Sequence, residues 1–334
     1  MLEHGGKLRD AAQRYGRDDW LDLSTGINPD HYPVPALADN AWHRLPEDDP
    51  ALACAAQRYY NARLMLPVAG TQAAIQALPR LRPPSRVTIA APSYAEHAHH
   101  WSQHGHAARE VSYDALDAAV ADSDVVVICN PNNPTGARVP RTDLLRWAEA
   151  LHTRGGWLVV DEAFADTDNA YSIADMAGGG QAASAESIVV LRSVGKFFGL
   201  AGLRLGFVAA APTLLHGLEE LIGPWSISGP AQQIGRAALE DKQWQQHTRE
   251  HLAKAAARMK RLLAQSSIAS TGTDLFQWWP EPRAEAFHEH MARRGIWVRL
   301  FRNAARGIRL GLPPNEAGWS RLEAALNEWT KENP

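Results

Sequence analysis

Ser193-Val194-Gly195-Lys196-Phe197-Phe198-Gly199-Leu200-Ala201-Gly202-Leu203-Arg204-Leu205-Gly206 sets one lysine among small and apolar residues. Eight positions on, it sets an arginine between glycines. Small neighbours let a planar ring or an anion approach the backbone closely. A lysine in such surroundings can form a Schiff base with an aldehyde or ketone. An arginine beside it can hold a phosphate with two parallel N–H donors. Isolated lysines are usually solvent-facing charges, but the apolar flanks here argue against a solvated face.

The strand that delivers this lysine is Ser187-Ile188-Val189-Val190-Leu191-Arg192-Ser193. Upstream, Gly156-Trp157-Leu158-Val159-Val160-Asp161-Glu162-Ala163-Phe164 ends a second apolar strand on a carboxylate. A charge there is costly without a cationic partner. A protonated pyridine nitrogen is such a partner; a helix cap or a local ion pair is the other reading. A third strand, Asp124 to Cys129, is apolar throughout, as parallel sheets require. It runs into Asn130-Pro131-Asn132-Asn133-Pro134-Thr135-Gly136, where two Asn-Pro pairs hold a rigid loop that presents an asparagine. Arg86 to Ala90 is another buried strand, followed by Ser93-Tyr94, whose ring can stack on a flat ligand or rest in the loop. Gly70-Thr71-Gln72 opens a helix and reads as an anion site or as a plain N-cap. Strands alternating with helices make an α/β sheet, and ligands gather at the carboxyl ends of its strands. A lysine amine, a phosphate grip and a buried carboxylate together are what pyridoxal phosphate needs.

Composition narrows the rest. The chain has 334 residues and a net charge of -3, so it can bury a large core and carries no general basic surface for nucleic acid. The cysteines, Cys54 and Cys129, lie far apart and suggest neither a disulfide framework nor a metal motif. No signal peptide or membrane span is legible, and the reading is a soluble cytoplasmic protein. His97, His99, His100, His104 and His106 invite a metal reading, but no His-Glu-x-x-His pattern accompanies them. They are expected on a helix as exposed or partly stacked side chains, with no metal bound.

At the N-terminus, His4-Gly5-Gly6 precedes a helical segment and the strand-like Leu21-Asp22-Leu23, then Ser24-Thr25-Gly26-Ile27-Asn28-Pro29. This is either an arm packed across the body or a partner subunit, or a segment whose His4 and Asn28 reach an anion. Beyond Pro230 the run Ala231 to Gln265 reads as one long helical stretch bridging two domains. Leu275 to Trp279 and Gly295 to Arg299 read as strands, and Ala284–Arg294 and Ser320–Thr330 as helices of a small α+β domain. The division expected is an N-terminal arm at 1–40, a large domain at 41–230 and a small domain at 231–334.

Taken in order, Gly70-Thr71-Gln72, Tyr94, the Asn130–Gly136 loop, Asp161-Glu162-Ala163, Ser193 to Lys196 and Gly202 to Gly206 resemble the fold-type I, aspartate-aminotransferase-like superfamily of pyridoxal-phosphate enzymes. The resemblance implies a mostly parallel central sheet flanked by helices, a small domain completed by the N-terminal arm, and a homodimer. It implies that Lys196 carries the cofactor and moves protons, that Asp161 pairs with the ring nitrogen and Asn133 with the ring oxygen, and that Tyr94 stacks on the ring. Gly70, Thr71, Gln72, Ser193 and Arg204 would take its phosphate. Gly307-Ile308-Arg309-Leu310-Gly311 matches the substrate-carboxylate arginine, which places that role on Arg309. Two departures stand out: Phe164 where the family often has tyrosine, and Leu45-Pro46 where many relatives have Tyr-Pro.

The N-terminal stretch and the Asp161–Phe164 form resemble the L-threonine-O-3-phosphate decarboxylases of cobalamin biosynthesis. That resemblance implies loss of carbon dioxide from threonine phosphate to give (R)-1-amino-2-propanol O-2-phosphate. The substrate would be held by His4, Asn28, Arg299 and Arg309; Arg299 also reads as a solvated strand residue. Alternatives are a histidinol-phosphate-type aminotransferase and a non-catalytic binding or regulatory protein on the same fold.

Overall fold

Five consecutive residues, Val125 to Cys129, are all buried, and so are the six from Ile188 to Ser193. Strands buried on both faces need helices above and below them, and this chain supplies them. The computed structural model describes residues 5–179, 182–303 and 305–332. Its strands are β1 Leu21–Leu23, β2 Leu66–Val68, β3 Arg86–Ala91, β4 Ala107–Ser112, β5 Val125–Cys129, β6 Trp157–Asp161, β7 Ile188–Ser193, β8 Gly206–Ala209, β9 Thr271–Thr273, β10 Phe276–Trp279, β11 Ile296–Phe301 and β12 Gly307–Gly311.

Among the described residues, seven strands form one sheet in the order β2-β8-β7-β6-β5-β3-β4. The pairs from β4 through β7 are parallel, and β8 runs antiparallel to both of its neighbours. This is the mostly parallel sheet that the sequence led us to expect. The register sets Cys129 beside Asp161 and Asp161 beside Leu191. Three strands therefore end side by side, and the Asn-Pro loop, Asp161 and the Ser193–Lys196 turn emerge along one edge. Each large aliphatic side chain buried between sheet and helices contributes roughly 1.5–3 kcal/mol.

The second sheet has the order β1-β11-β12-β10-β9. Its first strand comes from the N-terminal arm and pairs parallel with β11. Arg299 of β11 lies opposite Arg309 of β12, and Trp278 of β10 lies on Arg309's other side. The arm then runs back over the lysine turn. The N–H of Asn28 donates to the Lys196 carbonyl at 3.0 Å, and that of Tyr32 to the Phe198 carbonyl at 2.9 Å.

The helical stretch after Pro230 departs from expectation. It is two helices, Gly229–Glu240 and Lys242–Gln265. Asp241 leaves helical geometry between them, and its carboxylate accepts from the Trp244 N–H at 3.0 Å, capping the second helix.

Candidate active site

Lys196 follows β7 on a turn clamped by the arm. Burial first, and then the nearby guanidinium of Arg309, hold its amine down to about 8. Its Nζ lies 5.5 Å from the centre of the Phe164 ring. Phe164 in turn packs edge-on against Phe276, with ring centres 5.0 Å apart. Gly26 allows that wall, since a Cβ there would stand 2.9 Å from Phe276 and 3.0 Å from Phe164.

Asp161, at the end of β6, is buried, and its Oδ1 accepts from the Ala163 N–H at 3.0 Å. Its other oxygen lies 3.0 Å from His97 Nε2. The expectation of exposed or partly stacked histidines is corrected in part: His97, His100 and His106 are buried, while His97 and His100 do make edge-on ring contacts, with Tyr94 and His99. Burial alone would lower the His97 pKa. The bond to Asp161 and the neighbouring Cys129 thiol outweigh it and raise the pKa to about 10. His97, Cys129 and Asp161 bring three donor atoms within 4.8 Å of one another. A carboxylate expected to need a cation thus has one from its own chain, on the Tyr94–Gln103 side of the sheet.

Asn133 Oδ1 accepts from Arg309 Nη1, which joins the Asn-Pro loop to β12. Arg309 is buried, and its Nη2 donates to the Ser24 carbonyl at 2.8 Å. Burial first, and then Arg299, hold its guanidinium down to about 9. Its Nε has no acceptor among the described residues. An unsatisfied N–H on a buried guanidinium is costly, and an anion placed beside it removes that cost. Arg299 is half-buried, with its guanidinium over the Phe301 ring at 5.0 Å. Asn28 is buried with its amide already engaged: Nδ2 donates to the Phe197 carbonyl and Oδ1 accepts from the Asp30 N–H. The structure thus uses Asn28 to hold the lysine turn. His4 lies outside the described residues.

On the opposite side, Gly70, Thr71, Gln72, Ser193 and Arg204 come together. Gly70 has a φ of 75°, and a Cβ there would stand 2.4 Å from Arg204 Nη2. A Cβ on Gly206 would stand 2.8 Å from the Thr71 N–H nitrogen. These contacts leave room only for glycine beneath the helix Thr71–Ala77, which has no side-chain cap at Gly70 and whose Ala73 N–H donates to the Gly70 carbonyl at 3.1 Å. Ser193 Oγ accepts from the Gly195 N–H at 3.2 Å. Tyr94 stands at the end of the β3 loop, edge-on to His97 at 6.2 Å.

The donor set fits pyridoxal phosphate. A depressed amine, a buried carboxylate and a glycine-floored cradle with an arginine lie along one sheet edge, which matches an aldehyde, a ring nitrogen and a phosphate. Sequence reading weighed His97 and His100 only as metal ligands and did not single out Glu96. The signal for their partnership is the spacing from Tyr94, just before the helix Ala95–Gln103, to His97 and from Glu96 to His100 within it.

A family model described as aminotransferase class I and II matches residues 18–321. A threonine-phosphate decarboxylase of Pseudomonas aeruginosa is 48% identical over 98% of this chain and 97% of its own length. A second, from Sinorhizobium sp, is 42% identical over 97% of both chains. Among solved structures, histidinol-phosphate aminotransferase from Sinorhizobium meliloti in complex with pyridoxal-5'-phosphate superposes with a TM-score of 0.83, at 21% identity, over 100% of this chain and 96% of that one. That likeness speaks for the fold. Together with the near-full-length sequence relatives, it leads to one placement: this chain belongs to the aminotransferase class I and II family, in the group of the threonine-phosphate decarboxylases.

Proposed function

We propose that this chain is a pyridoxal-phosphate-dependent decarboxylase that converts L-threonine O-3-phosphate to (R)-1-amino-2-propanol O-2-phosphate and carbon dioxide, in the making of cobalamin. The observation that carries this reading is the 48% identity, over 98% of the chain, to a protein named for that reaction.

Lys196 would hold the cofactor covalently, Asp161 its ring nitrogen, Asn133 its ring oxygen and Tyr94 its face. Thr71, Gln72, Ser193 and Arg204, over Gly70, would hold its phosphate. When bound, pyridoxal phosphate supplies a ring that takes up the electron pair of a bond broken at the substrate α-carbon. The remaining work falls to the chain. Arg309, with one N–H unanswered and its pKa held down, binds the substrate carboxylate and fixes the rotation about the Cα–N bond. A decarboxylase must stand the Cα–carboxylate bond across the ring plane; an aminotransferase must stand Cα–H there. Arg299, and His4 beyond the described residues, serve the substrate phosphate. Phe164, Phe276 and Gly26 form an apolar wall beside Lys196 that excludes water. Lys196 Nζ would deliver one proton to the α-carbon once carbon dioxide has left. The Cα–carboxylate bond breaks, a Cα–H bond forms, and no oxidant is consumed.

We take the arm as 1–40, the large domain as 41–230 and the small domain as 231–334, and the working unit as a cytoplasmic homodimer. Support for the dimer is a set of exposed apolar side chains, Val34, Trp42, Leu45 and Trp225.

The test is to mix cofactor-loaded protein with L-threonine O-3-phosphate and no keto acid, and to assay both products. Equal release of carbon dioxide and aminopropanol phosphate over many turnovers is expected. Turnover only with histidinol phosphate and 2-oxoglutarate overturns the proposal.

A further inference from the structure

Gln72 is placed to serve a phosphate, yet its side chain is committed elsewhere. Its Nε2 donates to Glu96 Oε2 at 2.7 Å, and its Oε1 accepts from the Tyr94 hydroxyl at 3.2 Å. Only the backbone of Gln72 is left to face the anion cradle. Glu96 lies in the first turn of the helix Ala95–Gln103, where the helix dipole favours a carboxylate. One turn on, His100 Nε2 stands 3.1 Å from the same Glu96 oxygen. The two side chains are only 12% and 11% exposed.

A primary amide has two orientations that fill the same space, with oxygen and nitrogen exchanged. A carboxylate is acceptor-only, so Glu96 admits the Gln72 nitrogen and repels its oxygen. The Gln72 oxygen must then face Tyr94. Burial first, and then the charge of Glu96, raise the pKa of the Tyr94 phenol, so it stays neutral and donates. The chain His100–Glu96–Gln72–Tyr94 thus has a definite direction, from a helix N-terminus to the ring predicted to lie on the cofactor.

We propose that Glu96 is a positioning residue for the cofactor: by orienting Gln72 it anchors the Tyr94 hydroxyl and fixes the plane of the Tyr94 ring. The inference rests on the pyridoxal-phosphate reading above. It assigns no catalytic contact to Glu96, which acts through two other side chains.

The experiment is a double-mutant cycle on Glu96 and Tyr94, read by the cofactor dissociation constant and by the visible circular dichroism of the bound cofactor. Circular dichroism reports the asymmetric packing of the ring, which general stability does not move. E96A is expected to weaken cofactor binding about fivefold, the worth of one hydrogen bond, and to shrink the visible band. E96Q keeps an acceptor for Gln72 and stays within about twofold of wild type on the same scale. Y94F should match E96A, and Y94F/E96A should be no worse than Y94F alone. Wild-type binding and dichroism in E96A overturn the inference, as do losses that multiply in the double variant. A wild-type chain that takes up no pyridoxal phosphate overturns the cofactor reading itself, whatever the variants do.

Discussion

Lys196 is worth most when its amine is neutral, because only the lone pair attacks a carbonyl. With its pKa held down to about 8, uptake of pyridoxal phosphate by the cofactor-free protein should quicken as pH rises and level off above that value. Between pH 7 and 9 the rate should rise about tenfold, tracking the neutral fraction. Stopped-flow absorbance measures this, and a flat profile refutes it. K196A should take up no cofactor covalently. His97 gives the opposite sign. Its folded pKa, about 10, lies above the ordinary 6.5, so the charged pair with Asp161 adds stability in full below about 6.5. That contribution fades as pH rises through about 10. Denaturant melts of the cofactor-free protein should therefore fall in midpoint between pH 7 and 10, and H97N should flatten that fall. Lys196 and Asp161 stood out in the sequence because each sits in an apolar or small-residue setting where a charge is costly. His97 was not, because its partner is 64 residues away and only the fold turns that face of the helix inward. Asn28 was legible as special but not in its direction, since backbone carbonyls of the lysine turn leave no trace in sequence.

The elements divide by how much of their burial is local. β5 and β7 announce themselves as unbroken apolar runs. β4, an edge strand with mostly exposed or half-buried residues, carries no such pattern and is defined by its pairing with β3. The break at Asp241 hides inside a charged helical stretch, because a capping carboxylate looks like any surface acid until the N–H it accepts is known. The Asn-Pro loop shows the tightest dependence on a neighbour. Gly136 has a φ of 73°, and a Cβ there would stand 2.5 Å from the Gly272 backbone of β9. Beside it the Thr271 hydroxyl donates to the Thr135 carbonyl at 2.8 Å. G136A meets both an unfavourable backbone region and a rigid neighbour, so it should cost roughly 1–3 kcal/mol. A lower denaturant midpoint at unchanged slope would show this. Because the loop also carries Asn133, the same variant should raise KM more than it lowers kcat. Wild-type stability in G136A would mean that the loop and β9 separate freely.

At the scale of the molecule, the exposed large apolar side chains among the described residues fall in two stretches of chain, 34–45 and the turn at Trp225. Val34, Trp42 and Leu45 lie in one connector, exposed by 52%, 70% and 66%, and Trp225 is 59% exposed. The backbone brings the two regions together: a Cβ on Gly229, four residues after Trp225, would stand 2.5 Å from the carbonyl of Ala41, next to Trp42. Apolar rings concentrated on one face of a folded chain mark an association surface, and tryptophan is over-represented among residues that dominate such surfaces. The sequence gives the tryptophans but not their exposure, which depends on how the connector crosses the helix Gly229–Glu240. If a second copy covers this face, replacing two central tryptophans by aspartate removes two hot-spot contacts and buries charge in their place. Each substitution enters the dimer twice, so at about 2 kcal/mol per side chain W42D/W225D should raise the dimer dissociation constant about a millionfold. Sedimentation velocity over a dilution series measures it directly. Circular dichroism of the separated species guards against mere unfolding, since both side chains are exposed in the single chain and their loss should leave its fold intact. A wild-type chain that sediments as a monomer at every concentration removes the dimer. A variant that dimerises as tightly as wild type moves the interface elsewhere and leaves this apolar face to another occupant.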